Sequence, residues 1–237
     1  LSGFILAHAH EGELRAGTIR APAFLQARLA RIYPAHFVML VLFALVVLVG
    51  RASGQPINAE RYGLTSLATH LLLISAWGVD TTLSWNIPAW SISAEWAAYL
   101  AFPPMAWIVL RLSRAQAGAA LAALLVGFIW LAPHYDLTQR TLSALPRIFP
   151  EFAMGMLARF VWPPRPSRGA TALFVAACAG VAAGLSWGAP DGWLVAAFLA
   201  IIVTGARLVG PLADALAAAP LVRLGEESYA LYLAHVF

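Results

Sequence analysis

The sequence has no lysine, a single cysteine and only 11% charged residues over its 237 positions. One thiol excludes an intrachain disulfide and a thiolate metal cluster. Cys178, in a run of alanine, valine and glycine, reads as a small packing residue. Fifteen arginines stand against eleven acids, a formal charge of +4. They lie in short stretches between apolar runs, where they report orientation across a bilayer, so the basic balance does not point to nucleic acid. No polar stretch is long enough for a separate soluble domain, and no internal repeat is visible.

What is present in quantity is hydrocarbon: 61% hydrophobic residues and a mean hydropathy of +0.77. This is the composition of an integral membrane protein. With ~20 residues needed per helical span, there is room for about eight crossings. The expected fold is all-α, a polytopic helical bundle forming one membrane-embedded domain over residues 1–237, with one further re-entrant or partial helix. The chain starts without Met in an apolar run and stops in another, so a fragment lacking at least one helix on each side is expected.

Within this apolar chain the segment from Asn86 to Pro104 carries a carboxylate, Glu95. Asn86 suits a helix cap and Pro88 a first turn, which predicts a helix from about Pro88. Helical spacing then puts Ser91, Glu95 and Tyr99 on one stripe at i, i+4 and i+8. A carboxylate in a membrane helix faces a bundle interior or a wet cavity. Glu95 is therefore either a site residue or the partner of an arginine that pins helices together.

Charge orders the connections. Arg15, Arg20, Arg28 and Arg31 predict a cytoplasmic first loop, with Leu25, Leu29 and Ile32 forming the apolar side of an interfacial helix. If every later apolar stretch crossed, seven arginines, from Arg111 to Arg223, would face outside. If Leu64 to Val79 does not cross, eleven lie inside. That short stretch, holding His70, is thus expected to be re-entrant and to wall a cavity beside Glu95. Residues 210–220 read as a small-residue loop.

Other polar groups are candidates of lower rank. Arg147 and Glu151, at i, i+4, can neutralise each other; a charge at Arg147 can also pair Glu95. In the last apolar run, Tyr232 and His235 share a face, and His235 can act as acid or base or serve as a hydrogen-bonding helix clamp. His8, His10 and Glu11 do not recur at metal spacing, and His70 and His134 have no second ligand by sequence, so no metal is expected. The tryptophans around Glu95 read as interfacial anchors, with a sugar-stacking platform at Trp85 and Trp90 as the alternative.

The segment Trp90-Ser-Ile-Ser-Ala-Glu-Trp96 resembles the Trp-Ser-x-Ser-x-Glu-Trp signature of the acyltransferase 3 family, integral-membrane enzymes that move acyl groups from acyl-CoA to sugar hydroxyls and other acceptors. Four further stretches agree in order: Leu1-Ser-Gly-Phe4, Arg28-Leu-Ala-Arg-Ile-Tyr-Pro34, Arg147 with the run from Phe152 to Ala158, and the run from Leu224 to His235. The resemblance spans the chain. It implies acyl-CoA as co-substrate with no bound cofactor, Arg28 and Arg31 on its phosphates, and a glycan or lipid-linked saccharide as acceptor. It further implies transfer of an acyl group, acetyl first, and a bacterial plasma-membrane location among membrane lipids. Catalytic roles would fall on Glu95, Ser91, Arg147 and His235, while the family's basic histidine is expected upstream of Leu1. A transporter or flippase is the competing reading, but its duplicated pair of broken helices is not visible.

Overall fold

A computed structural model describes residues 2–58, 61–80, 84–131 and 144–235. Among them every regular element is helical. In order these are α1 (Ser2–Ala9), α2 (Glu11–Ala16), α3 (Ala21–Ala52), α4 (Leu64–Leu71), a wide turn at Ser75–Val79, α5 (Ala89–Val109), α6 (Arg114–Leu131), α7 (Ala144–Val161), α8 (Ala170–Trp187), α9 (Asp191–Gly205), α10 (Pro211–Leu216) and α11 (Ala219–Ala234). His134 and Arg140 lie outside the described residues.

Among the described residues, three helices are long and apolar enough to cross a membrane: Ala21–Ala52, Arg114–Leu131 and Ala170–Trp187. The expected eight crossings are not reached. The reasons are length and polarity. The described part of α1 has 8 residues and α9 has 15, α5 is diluted by Ser91, Ser93 and Glu95, and α11 carries Arg223, Glu226 and Glu227. The spans keep apolar side chains outward, as a lipid-facing helix must; Leu48 and Val49 on α3 are 59% and 65% exposed.

Two further expectations are corrected. Arg28 and Arg31 do not sit on a separate interfacial helix, because α3 runs 32 residues straight through Pro34 into the span. A proline costs the helix one hydrogen bond, but in a long membrane helix neighbouring groups absorb that loss. Residues 210–220 are not a loop: Pro211 opens α10, and only two residues separate its end from α11.

The chain packs as two compact units whose segments interleave in sequence. The first comprises Leu1–Ile19, Phe102–Leu137 and Phe149–Val222. Its core joins Phe4 of α1, Leu121 and Phe128 of α6, Met154 and Leu157 of α7, and Leu199 and Val203 of α9. Here α1 touches α7 backbone to backbone. A Cβ on Gly3 would fall 2.1 Å from the Phe152 carbonyl oxygen, and one on Gly155 would fall 2.8 Å from the Phe4 nitrogen. Only glycine permits that approach.

The second unit comprises Arg20–Ala101, Thr138–Ile148 and Arg223–Phe237. One cluster gathers Leu40, Val47 and Trp85, and another gathers Ala76, Ala94 and Ala144. The stretch from Leu64 to Val79 is not one helix. It breaks after Leu71, with Leu73 at φ 58° and Gly78 at φ 80°. A left-handed leucine is strained, and such strain persists only where the surroundings hold it.

Candidate functional site

The turn that opens α5 is buried and polar. Trp85, at φ 47°, donates from Nε1 to Ser66 Oγ at 3.0 Å and meets Tyr62 edge-on. It is therefore a core residue and no part of an open stacking platform. Asn86, 0% exposed, donates from Nδ2 to the Leu233 carbonyl at 3.2 Å. Its side chain thus ties α11 to α5 instead of capping α5 as expected. The first α5 turn is closed by the Asn86 carbonyl, which accepts from the Ala89 N–H at 3.0 Å.

Along α5 the stripe of Ser91, Glu95 and Tyr99 forms as the spacing predicts. The Tyr99 hydroxyl donates to Glu95 Oε1 at 2.7 Å. Ser91 Oγ lies 3.0 Å from both the Pro88 carbonyl and the Tyr232 hydroxyl. Tyr99 is buried, while Ser91 and Glu95 are half-buried. On α3, the Arg28 guanidinium stands 5.8 Å over the Phe24 ring, and Phe24 meets the Tyr99 ring edge-on at 6.4 Å. Both Arg28 and Arg31 act electrostatically on the Tyr99 hydroxyl, and Glu95 acts on the hydroxyls of Tyr99 and Tyr229. Tyr229 in turn donates to the Ile32 carbonyl at 2.7 Å. The fold therefore brings Glu95, Tyr99, Arg28, Arg31 and Tyr229 into one neighbourhood. Arg28 Nε is buried there without a hydrogen-bond partner among the described residues.

His235 lies beside Tyr232, with ring centroids 5.5 Å apart. It is exposed, with Nδ1 2.5 Å from the Tyr232 carbonyl of its own chain end. Arg147 is half-buried on α7 in the same compact unit as Glu95.

Three polar features escaped the sequence reading. Ser93, 1% exposed, donates from Oγ to the Leu73 carbonyl at 2.8 Å and accepts there from the Ala76 N–H at 3.0 Å. Its own carbonyl accepts from Trp77 Nε1 at 3.0 Å. The second serine of the α5 signature thus holds the broken segment in shape. His36 and His70, both buried, stack with ring centroids 6.4 Å apart. His36 Nε2 lies 2.9 Å from the His70 carbonyl. A carbonyl only accepts, so the proton sits on Nε2; Nδ1 has no partner among the described residues. Their signal was two histidines inside apolar runs.

The third feature is a buried cation. Arg159, 7% exposed, donates from Nε to His8 Nδ1 at 3.2 Å and from Nη2 to the Glu11 carboxylate. Arg15 donates from Nε and Nη2 to the other Glu11 oxygen at 3.0 and 2.8 Å. Burial alone raises the Glu11 pKa, but the Arg15 hydrogen bonds and the charges of Arg159 and Arg15 outweigh it. The carboxyl titrates below its ordinary value of 4.5. Among the described residues, no group of three or more His, Cys, Asp or Glu side chains is placed to hold a metal ion.

The profile of the family described as "Acyltransferase domain" matches residues 1–237. The chain is 30% identical over 262 residues to "Acyltransferase MdmB" of Streptomyces mycarofaciens, covering 99% of this chain and 65% of that protein. It is 33% identical over 107 residues to "Protein 2 in picA locus" of Rhizobium radiobacter, covering 42% of this chain and 54% of that one. The chain thus spans less than two thirds of the length of these curated relatives. No solved structure matches it. With the family profile covering every residue, and the helix signature that first indicated it folded around Glu95, the chain belongs to the acyltransferase 3 family.

Proposed function

We propose that this chain is the membrane-embedded part of an O-acyltransferase that moves an acyl group, acetyl first, from acyl-CoA to a hydroxyl of a glycan or lipid-linked saccharide. The observation that carries this reading is the gathering of Glu95 and its donor Tyr99 with Arg28 and Arg31 in one neighbourhood. Two guanidiniums suit the phosphates of coenzyme A, because their planar donors match phosphate oxygens in pairs. The acceptor oxygen attacks the thioester carbonyl, the tetrahedral oxyanion collapses, and the carbon–sulfur bond breaks to release the CoA thiolate. A base must take the hydroxyl proton as attack proceeds. Glu95 orients or supports that base. Donors must meet the oxyanion, and Ser91 and Arg147 are assigned to this polar surface.

In this reading the arginine-bearing helix ends face the cytoplasm of a bacterial cell, and the protein lies in the plasma membrane. The segment from Leu64 to Val79 enters without crossing; its break at Leu73 supports this. Labelling of cysteines placed at Arg51 and Asp80 should then occur from one side of the membrane, and labelling from opposite sides would refute it.

The test of function uses the full-length protein in nanodiscs with labelled acetyl-CoA and a glycan acceptor. Arg28→Ala with Arg31→Ala should raise the KM for acetyl-CoA at least tenfold, a loss of about 1.4 kcal/mol, with little change for the acceptor. Arg165→Ala with Arg168→Ala, both exposed, should leave both values near wild type. Equal effects from the two pairs would mean that only bulk positive charge matters.

A further inference from the structure

We propose that the groove between α2 and the carboxyl end of α5 binds one anionic phospholipid from the cytoplasmic leaflet. The groove holds about 840 Å³, within the range of small-molecule sites. Leu14, Ile19, Pro104 and Leu110 give it apolar walls, while Arg15 and Arg111 supply cations. Walls and charges in one groove fit an amphiphile. A free phosphate or a soluble sugar phosphate would leave the apolar walls unused.

The two arginines differ in how they are held. The Arg111 guanidinium lies 3.3 Å from the centroid of the Trp107 ring, and its Nη1 donates to the Trp107 carbonyl at 3.1 Å. It is fixed in place with most of its donors unspent and no carboxylate partner among the described residues. Arg15 is held by Glu11, but that one carboxylate also serves Arg159. The residues that line the groove include the guanidiniums of Arg15 and Arg111 and no carboxylate. An anion is what this groove lacks.

Position selects the source of the anion. Trp107 is 58% exposed one turn before Arg111, and a tryptophan followed by arginine at a helix end marks the headgroup layer. The cytoplasmic leaflet carries the anionic lipids, and basic pockets on that side take their headgroups. The phosphate would lie between Arg15 and Arg111, with the upper acyl chain along Leu110 and Pro104. This rests on the cytoplasmic placement of the arginine-bearing ends and is independent of the acyl-transfer chemistry.

The experiment is native mass spectrometry of the full chain released from equimolar phosphatidylglycerol and phosphatidylcholine. One phosphatidylglycerol should be retained in preference, with about fivefold of that preference lost in each of Arg15→Gln and Arg111→Gln. Arg51→Gln should retain it. Since a variant can fail to fold, wild-type tryptophan emission gives a second reading. Brominated phosphatidylglycerol should quench it more than brominated phosphatidylcholine, and Trp107→Phe should erase that difference. Equal retention of the two lipids, unchanged preference in Arg111→Gln, or equal quenching overturns the proposal. Displacement of the bound lipid by coenzyme A would assign the groove to the co-substrate and overturn it as well; displacement by inorganic phosphate would reduce it to a simple anion site.

Discussion

Tyr99 donates its phenolic proton to Glu95 Oε1 across 2.7 Å, one helical turn away on α5. The bond fixes the carboxylate from below while the same side chain packs against Phe24 on α3. Glu95→Gln keeps the shape and still accepts from Tyr99. In the full-length enzyme it should therefore fold near wild type yet lose about a hundredfold in turnover, the scale of a general acid–base contribution. Glu95→Asp should recover part, because the retracted carboxylate misplaces its contacts. Were Glu95 only the partner of a buried arginine, the Gln form would lose about 3 to 5 kcal/mol and misassemble. Detergent melting curves beside turnover separate the two cases, and a Gln form with wild-type turnover removes Glu95 from the mechanism.

Ser93 holds the Leu73 carbonyl and the Ala76 N–H together. Ser93→Ala leaves both backbone groups buried without that partner, at about 1–3 kcal/mol for each group left unsatisfied. The melting temperature should drop, and amide exchange should accelerate at residues 73–79 before it does elsewhere. A melting curve that overlays the wild type would show that the break is held by packing alone.

The depressed pKa of Glu11 has a definite sign in stability. A carboxyl that titrates lower when folded stabilises the protein above its unfolded pKa, near 4.5, and that contribution fades as pH falls through the folded value. Wild type should thus lose stability below about pH 4.5 more steeply than Glu11→Gln. Parallel melting-versus-pH curves for the two forms would show that the Arg15–Glu11–Arg159 cluster contributes nothing to folding.

Gly3→Ala should force α1 off α7, since the new methyl would meet a backbone carbonyl at 2.1 Å. Overpacking of this kind costs about 1–3 kcal/mol, occasionally more. Gly180→Ala, where a Cβ meets nothing within 4 Å, should melt at or slightly above wild type. Folded yield and melting temperature of the two variants provide the comparison; equal behaviour would show that α1 can shift freely.

What could be read from the sequence was what repeats at helical spacing on one element. The stripe of Ser91, Glu95 and Tyr99 follows from the period of α5 alone, and the acyltransferase resemblance was carried by contiguous motifs. The misreadings have specific causes. The interfacial helix expected from Leu25, Leu29 and Ile32 is the first part of α3, which continues through Pro34 into the span; a short apolar stripe does not mark where a helix ends. Apolar runs were equated with crossings, although the polar residues of α5 and α11 dilute them. Ser93 gave no warning because its partners lie 17 and 20 residues upstream in a segment whose break is tertiary. Arg159 looked like one more orientation charge, because its partners His8 and Glu11 stand 151 and 148 residues away.

The glycine contact between α1 and α7 also bears on the order of biosynthesis. Gly3 and Phe152 are 149 positions apart, so at about 5–20 residues per second α1 leaves the ribosome roughly 7 to 30 seconds before its partner exists. During that interval the face of α1 that carries Gly3 lacks the α7 backbone it packs against in the folded unit. Closure of this contact is consequently gated by translation through α7, and a ribosome stalled before Phe152 leaves α1 without its glycine-to-backbone partner.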